Sequence, residues 1–240
     1  MTDVATEGLE ITGLSASWGS TGILQDVNIH VQRGEIVAIL GRNGVGKTTL
    51  LKSIMRVGPS ITGGISLAGK DIAHLSTPRI AALGVGYVPD VEGVFARLTV
   101  EENLLVGRRG RLRRKEAASV VEEGLSYFPM LKDHRSRVAG SLSGGQQRML
   151  AIARVLIARP NYILLDEPTE GLHSQVMAEV ADLVRRMRDD YGAGVIWVDS
   201  RLGLSLELGD RFLVMDRRSI VMSGATCGAD RAQIAGWLAP

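Results

Sequence analysis

Apolar and polar residues follow different spacings in successive stretches of this chain of 240 residues. Residues 11–18 (ITGLSASW) and 27–31 (VNIHV) alternate apolar and polar positions, which predicts strands with one buried face. The continuous apolar run IVAIL at 36–40 predicts a strand that is covered on both faces. Residues 63–72 (GGISLAGKDI) carry glycines and predict one arm of a hairpin. The first third of the chain is therefore predicted to form mainly sheet.

The middle of the chain, roughly 76–160, is predicted to be mostly helical. Thr99 and Glu102 form a capping-box pattern at one helix start, and Ser76 followed by Pro78 indicates another. This stretch predicts a helical insertion between the strands on either side of it.

Strands and helices alternate again after residue 160. Apolar runs that predict strands lie at 162–166 (YILLD), 195–198 (VIWV) and 211–215 (RFLVM). A helix is predicted over 174–189, and it carries an apolar stripe whose spacing is more typical of core packing than of a binding surface. The stripe is formed by Val176, Val180, Leu183, Val184 and Met187. Strands separated by helices predict a mainly parallel α/β sheet.

The composition is that of an ordinary globular protein, with 45% apolar and 22% charged residues. The net charge of +2 indicates no strong attraction to nucleic acid or anionic lipid, and the basic run RRGRLRR at 108–114 is interpreted as a solvated turn. The single cysteine, Cys227, is interpreted as a bystander thiol. The start, MTDVATEGLE, lacks a signal-peptide core, and no apolar run approaches the roughly 20 residues that span a bilayer. We therefore expect a cytosolic protein that reaches a membrane only through a partner.

A phosphate-binding loop is predicted at 41–48, where GRNGVGKT fits the pattern G-x-x-x-x-G-K-[ST] between a buried strand and a helical run. Lys47 can reach phosphate oxygens as a point charge, and the Thr48 hydroxyl can ligate Mg²⁺. The glycines that let successive backbone amides face the phosphates are Gly41, Gly44 and Gly46. Because the motif lies in the strand–loop–helix context that it requires, we prefer this interpretation to a chance glycine-rich turn.

Two adjacent carboxylates at the end of the strand 162–166 complete the predicted nucleotide site. Asp166 would bind Mg²⁺ through water, and Glu167 would act as a general base or orient the attacking water. Because side chains alternate along a strand, we expect Glu167 to point into the cleft beside the γ-phosphate. Alone, the pair Asp-Glu is a weak signal, but it is the expected partner of the loop at 41–48.

A second helix start, SLSGGQQRML at 141–150, offers backbone amides and a hydroxyl that suit an anion. The motifs GRNGVGKT, LSGGQQR (142–148) and ILLDEP (163–168) follow one another along the chain in this order. With these motifs the chain resembles the ATP-binding subunit of an ABC transporter. The resemblance covers nearly the whole chain. It implies an α/β fold of the P-loop NTPase class, with a mixed-sheet core, an antiparallel β subdomain and a helical subdomain at roughly 90–160. It also implies a single ABC domain over 1–240.

The resemblance further implies that ATP and Mg²⁺ are cofactors and that two cassettes pair head to tail. In such a pair Ser143, Gly144 and Gly145 of one chain's signature loop, the segment LSGGQQR (142–148), cover the γ-phosphate held by the other chain. Trp18 lies where the family has an aromatic residue that stacks on adenine, although a core tryptophan is the alternative. The implied nucleotide contacts are Trp18, Gly41, Asn43, Gly44, Gly46, Lys47, Thr48, Thr49, Ser143, Gly144, Gly145 and Gln146.

Three positions depart from the general family pattern. Asp90, after the strand in VGYVPD, replaces a glutamine that senses Mg²⁺, Ser200 replaces a histidine that contacts the γ-phosphate, and His173 replaces an aspartate of the cross-dimer segment TEGLHS (169–174). Serine lacks the charge and reach of an imidazole, so we expect slower turnover than in a standard cassette. The catalytic residues implied by the resemblance are Glu167 and Ser200, and the metal contacts are Thr48, Asp90 and Asp166.

Within the family, GRNGVGKTTLLKSIM, VFARLTVEENLLVG and DEPTEGL resemble the branch that imports branched-chain amino acids, urea or amides. This branch implies a second cassette, identical or different, two permease subunits and, indirectly, a periplasmic binding protein. It also implies that this chain lies at the cytoplasmic face of the inner membrane, where it is bound through the permease. The helical insertion is expected to dock the permease near Asp90 and residues 91–100. Two alternatives stay open: a soluble ABC ATPase of the assembly-factor type, and a degenerate cassette that binds ATP as a clamp.

Overall fold

Strands and helices follow one another along the chain in a computed structural model that describes residues 8–91, 93–108 and 113–239. The strands are β1 (Gly8–Trp18), β2 (Thr21–Gln32), β3 (Ile36–Gly41), β4 (Ser60–Leu67), β5 (Lys70–Asp71), β6 (Val85–Val88), β7 (Tyr162–Asp166), β8 (Gly194–Val198), β9 (Arg211–Asp216) and β10 (Ser219–Ala225). The α-helices are α1 (Lys47–Ile54), α2 (Thr77–Ala82), α3 (Val100–Gly107), α4 (Arg114–Tyr127), α5 (Gly144–Leu156), α6 (Ser174–Tyr191), α7 (Leu202–Leu208) and α8 (Arg231–Leu238). Short 3-10 turns at Pro129–His134 and Ala139–Ser141 separate α4 from α5.

Two sheets organise the fold. One has six strands in the order β10-β9-β3-β8-β7-β6, in which only the β9–β10 pair is antiparallel. The other has four strands in the order β2-β1-β4-β5 and is antiparallel throughout. The predicted mixed-sheet core and antiparallel subdomain are therefore confirmed.

The parallel strands bring the candidate residues to one edge of the six-stranded sheet. Strands β3, β6, β7 and β8 run in the same direction, so their carboxyl ends meet at this edge. The loop 42–46 follows β3, Glu167 follows β7, Ser200 lies two residues after β8, and Asp90 lies two residues after β6. Ligand sites of open α/β sheets lie at such an edge.

The burial pattern follows the sequence prediction. All six residues of β3 are buried, as expected for a strand that is covered on both faces. On α6 the predicted stripe packs into the core, with Val180, Leu183, Val184 and Met187 buried and Val176 partly buried against the same cluster. This helix continues to Tyr191, two residues beyond the predicted end, and stops where Gly192 adopts a left-handed conformation (φ 62°).

The boundaries of several elements differ from the sequence prediction. The first two strands are longer than the alternating stretches 11–18 and 27–31, because cross-strand pairing of β1 with β2 continues beyond the apolar positions. The predicted hairpin arm 63–72 is divided between β4 and β5 by a turn in which Ala68 and Gly69 have positive φ angles. The mostly helical middle also contributes β6 to the edge of the six-stranded sheet.

The helical insertion consists of α3, α4, α5 and the 3-10 turns between them. The buried side chain of Asn103 fixes the loop before α3, since it accepts from Phe95 N and donates to Phe95 O and Thr99 O. No helix within the described ranges is both long and apolar enough to cross a membrane. Glu92 and residues 109–112 of the basic run lie outside the described residues.

Candidate nucleotide-binding site

The loop between β3 and α1 borders a cavity at the carboxyl edge of the sheet. Gly44 and Gly46 have positive φ angles of 82° and 113°, a conformation that favours glycine. A Cβ on Gly46 would lie 2.8 Å from Leu24 Cδ2, so a side chain has no room there. The cavity has a volume of about 380 Å³, and it is lined by Ile23, Asn43, Gly44, Gly46, Lys47, Thr48, Thr49, Asp90, Glu167, Glu170 and Ser200. Most of the predicted phosphate and metal contacts therefore surround one space.

Lys47 lies at the floor of this cavity with its side chain almost fully buried. Its Nζ donates to Gly41 O (2.8 Å) and Arg42 O (3.2 Å) and lies 3.5 Å from Glu167 Oε1. Gly41 itself is required by packing, because a Cβ there would lie 2.6 Å from Met215 O. The ammonium is thus held next to the loop amides, where it could receive phosphate oxygens.

Asp166 is fully buried at the end of β7 and accepts hydrogen bonds on both carboxylate oxygens. Thr48 Oγ1 donates to Oδ1 at 3.0 Å, and Tyr87 Oη donates to Oδ2 at 3.2 Å. Burial raises the pKa of Asp166, and the two hydrogen bonds act in the opposite direction. A hydroxyl and a carboxylate at this separation are the oxygen ligands that Mg²⁺ takes together with substrate phosphates, so the residues present fit this cation. Tyr87, which donates to Asp166, is not among the site residues predicted from the sequence.

Glu167 also lines this cavity, but the alternation of side chains along a strand does not explain its position. Strand β7 ends at Asp166, and Glu167 adopts a left-handed conformation with φ 46°, which is costly for a residue other than glycine. This turn lets both neighbouring carboxylates face the loop, whereas alternation would direct them to opposite sides of the sheet. A backbone bond from Glu167 N to Val198 O (2.7 Å) supports the turn.

The carboxylate of Glu167 is held between a cation and a backbone amide. Its Oε2 accepts from Ser200 N at 2.9 Å, and its Oε1 faces Lys47 Nζ. Burial raises the pKa of Glu167, while the Ser200 amide and the Lys47 charge lower it and only partly offset the burial. Strained backbone and a desolvated carboxylate together are typical of a functional position.

Ser200, predicted as a catalytic residue, contacts Glu167 through its backbone amide. The residues on either side of Ser200 fasten the loops that follow β7 and β8 to each other. Buried Asp199 accepts from Thr169 Oγ1 and from Arg201 N (2.9 Å), and Arg201 Nη1 donates to Thr169 Oγ1 at 2.7 Å. Asp199 directly follows the buried strand VIWV, a position that could have indicated this network, but Asp199 was not among the residues predicted from the sequence.

Trp18 lies outside the cavity lining, at the end of β1 beside the start of α1. Trp18 as a residue is 44% exposed, and its ring packs over Gly58, where a Cβ would clash with it. Nε1 donates to Thr49 Oγ1 at 3.5 Å, and Lys52 Nζ lies 5.9 Å from the ring centroid. An exposed ring at this position is compatible with the predicted stacking on adenine, which stays a prediction.

The signature loop forms a different cavity. This second cavity has a volume of about 630 Å³, and its lining residues include Ser143, Gly144, Gly145, Gln146, Glu170 and His173. Ser143 and Gln146 cap α5 reciprocally, since Ser143 Oγ accepts from Gln146 N (3.3 Å) and Gln146 Oε1 accepts from Ser143 N (3.1 Å). Within the described residues, Glu170 is the one that lines both cavities.

Arg148 of α5 links the two cavities by charge. Its Nη2 donates to Asp90 Oδ1 at 3.3 Å and lies 3.9 Å from Glu170 Oε2. Asp90 lines the first cavity while it is paired in this way, and the metal role proposed for it stays a prediction. The helical insertion is thereby tied to the loop after β6.

Comparison with known proteins matches residues 24–170 to the family model described as ABC transporter. The chain belongs to the ABC transporter family. It is 36% identical over 215 residues to BraG, the high-affinity branched-chain amino acid transport ATP-binding protein of Pseudomonas aeruginosa, covering 89% of this chain and 91% of BraG. It is 33% identical to the probable branched-chain amino acid transport ATP-binding protein LivF of Archaeoglobus fulgidus, covering 90% and 91%.

Other ABC transporter proteins are similar to a comparable degree. The lipopolysaccharide export system ATP-binding protein LptB of Haemophilus influenzae is 32% identical, with 90% of each chain covered. The fold matches that of the ATP-binding cassette MJ0796, solved as a dimer in a post-hydrolysis state with ADP and Pi, with a TM-score of 0.82 and 23% identity over 91% of this chain and 98% of that one. This likeness confirms the predicted P-loop fold, and membership of the ABC transporter family makes the chain an ATP-binding ATPase, as the sequence predicted.

Proposed function

We propose that the chain is the ATP-hydrolysing subunit of an ABC importer, with residues 1–240 acting as one cassette and roughly 90–160 as its helical subdomain. The observation that carries this proposal is that Lys47, Thr48 and Glu167 line one cavity, while buried Asp166 accepts a hydrogen bond from Thr48 directly behind it. A cation, a metal-ligating pair and a desolvated carboxylate are the groups that ATP hydrolysis requires.

Each group has a separate task in this proposal. The loop amides, with Asn43 and Thr49, and Lys47 hold the phosphates, while Thr48 and Asp166 hold Mg²⁺, with Asp90 nearby. Mg²⁺ would neutralise the charge that develops on the phosphate oxygens. Glu167, fixed by the Ser200 amide, orients the attacking water and accepts its proton. Trp18 stacks on adenine from the edge of the site.

We propose that the second cavity, which the signature loop lines, contacts the nucleotide held by a second cassette. Ser143, Gly144, Gly145 and Gln146 line a space that is distinct from the space around Lys47. Their loop starts a helix of 13 residues, whose amides and dipole favour an anion. Two chains placed head to tail would each contribute one half to each of two sites, and hydrolysis would release them.

The finer proposal concerns the transporter. BraG and LivF are named for branched-chain amino acid transport, and we propose this cargo or a related small polar solute such as urea or an amide. LptB is named for export of a different cargo, so identity alone does not decide the cargo. The complete transporter would include two permease subunits and a periplasmic binding protein, and this chain would lie at the cytoplasmic face of the inner membrane.

A groove between the six-stranded sheet and the helical insertion suits the permease. It has a volume of about 700 Å³ and includes the exposed side chains of Phe95 and Val106. The guanidinium of Arg154 stacks over the Phe95 ring at 4.7 Å, and burial lowers its pKa. No carboxylate among the described residues pairs with Arg154, so an apolar segment of the permease that carries an acidic residue would fit. A Val106→Glu variant should fail to co-purify with the permease, whereas Val221→Glu, the same substitution at an exposed position on β10, should still co-purify.

Reconstitution with the permease tests the function itself. We expect ATP hydrolysis that rises when a binding protein loaded with leucine or urea is added. Hydrolysis that never responds to a permease would favour a soluble ATPase of the assembly-factor type. ATP binding without hydrolysis in any assembly would favour the clamp.

A further inference from the structure

Tyr87 occupies a position between the nucleotide cavity and the permease groove. It lies on β6, its hydroxyl donates to Asp166 Oδ2 at 3.2 Å, and its residue also lines the groove. Tyr87 therefore contacts a buried carboxylate through its hydroxyl and is one of the residues that line a surface cleft.

The hydroxyl of Tyr87 has one chemical role towards Asp166. A phenol is protonated near neutral pH, so the Tyr87 hydroxyl donates and the Asp166 carboxylate accepts. Thr48 donates to the other oxygen, but its hydroxyl is itself a proposed metal ligand. Tyr87 thus supplies the hydrogen bond to Asp166 that comes from outside the proposed metal ligands.

A carboxylate held at both oxygens has a fixed plane, whereas a carboxylate held at one oxygen can rotate. Groups behind a metal ligand commonly set its orientation, and their loss typically lowers metal affinity by about 10–100-fold. We propose that Tyr87 is a positioning residue of the magnesium site, which acts by holding Asp166 through its hydroxyl. This inference rests on the magnesium–ATP site proposed above.

Replacing Tyr87 by phenylalanine removes the hydroxyl and keeps the ring. The chain offers a matched control in Tyr127, whose hydroxyl donates to Glu123 Oε1 at 3.0 Å in α4. Each substitution therefore removes the hydroxyl of a partly buried phenol from a carboxylate. ATP binding to the purified proteins is measured with Mg²⁺ and with EDTA, together with the Mg²⁺ concentration that half-activates hydrolysis and the melting temperature.

We expect Tyr87→Phe to weaken Mg²⁺–ATP binding by about tenfold and to raise the half-activating Mg²⁺ concentration similarly, while ATP binding in EDTA stays unchanged. Tyr127→Phe should change neither binding constant. If Tyr87→Phe lowers the melting temperature, binding is compared well below the melting transition of both proteins.

The outcomes separate this inference from the proposed site. If ATP binding depends on Mg²⁺ in the unmodified protein and to the same degree in the Tyr87→Phe variant, the role of Tyr87 is overturned and the proposed magnesium site is not. Equal losses with Mg²⁺ and with EDTA would also overturn it, because they would indicate a general structural effect. Binding by the unmodified protein that ignores Mg²⁺ would overturn the site itself. In an Asp166→Asn background, Tyr87→Phe should have no further effect on Mg²⁺ dependence.

Discussion

The two cavities of this cassette differ in how much of their chemistry one chain supplies. Around Lys47, charged and polar side chains are matched within the chain: the ammonium faces Glu167, and Asp166 is held by Thr48 and Tyr87. Around Gly144, the signature loop provides backbone amides and the side chain of Ser143. The side chains of Ser143 and Gln146 accept hydrogen bonds from each other's backbone amides and so cap the helix.

This difference indicates that the first cavity carries the reaction and the second supplies a cover. Buried charges need partners, so the first cavity is built by distant segments that fold together. The signature loop needs only local geometry, and its exposed Gly144 leaves room for a group from outside the chain. The following substitutions test this division of labour.

The largest effect is expected for Glu167→Gln, which removes the proton acceptor and keeps the shape. Hydrolysis should fall by about 10²–10⁴-fold, as for loss of a general base, while ATP binding persists. Phosphate release and nucleotide binding measure the two quantities. Glu170→Gln is the matched control, since Glu170 lines the same cavity but is more exposed, and it should retain most activity.

A charge placed on the signature loop should act only across the dimer. Apart from its chain neighbours and the backbone of α5, no atom of the described residues lies within 4 Å of a Cβ built on Gly144, so Gly144→Asp should leave the melting temperature and ATP binding of the single chain unchanged. Juxtaposing its carboxylate with a partner's phosphate costs several kcal/mol, so hydrolysis by the assembled pair should fall more than tenfold. Gly203→Asp, at an equally open position in α7, should not affect hydrolysis. Lost ATP binding in the Gly144→Asp monomer would show that the cavities are not separate.

Removing the cap at Ser143 tests how the cover is built. Ser143→Ala deletes the acceptor of Gln146 N and should lower the free energy of unfolding by about 1 kcal/mol. Urea denaturation measures this change. Ser174→Ala, at the first residue of α6, should stay within about 0.5 kcal/mol of the unmodified protein. An unchanged stability in Ser143→Ala would contradict the capping role.

The smallest effect is expected at Ser200, because its observed contact comes from the backbone. Ser200→Ala should hydrolyse ATP at the unmodified rate, since the amide that holds Glu167 remains. Ser200→His should be faster by about two- to fivefold, well below the gain from a fully preorganised donor. Turnover of the purified protein with its partner decides this, and equal or faster hydrolysis by the unmodified protein would refute the predicted handicap.

Contiguous motifs could be predicted from the sequence because their geometry is local. The glycines of the loop 42–46, the capping box of Thr99 with Glu102 and the apolar stripe of α6 follow from spacing alone, and each is observed. The parallel direction of β3, β7 and β8 follows from strand–helix alternation, and their carboxyl ends meet at the edge where Asp166 contacts Thr48.

The remaining contacts join segments whose separation in sequence hides them. Tyr87 meets Asp166 across 79 positions, and Asp199 meets Thr169 across 30. The left-handed turn at Glu167 could not be predicted either, because glutamate is a poor residue for that conformation and the tertiary bond to Val198 O supports it. Arginine at 148 carries no sequence signal for its pairing with Asp90.

Sedimentation of the Glu167→Gln protein tests the central claim, a nucleotide held between two chains, most directly. Alone or with the second cassette of its transporter, the protein should double in mass when Mg²⁺–ATP is added and stay monomeric with ADP. Adding Gly144→Asp to both chains should abolish the doubling. A Glu167→Gln protein that binds ATP yet remains monomeric in both mixtures would contradict the account.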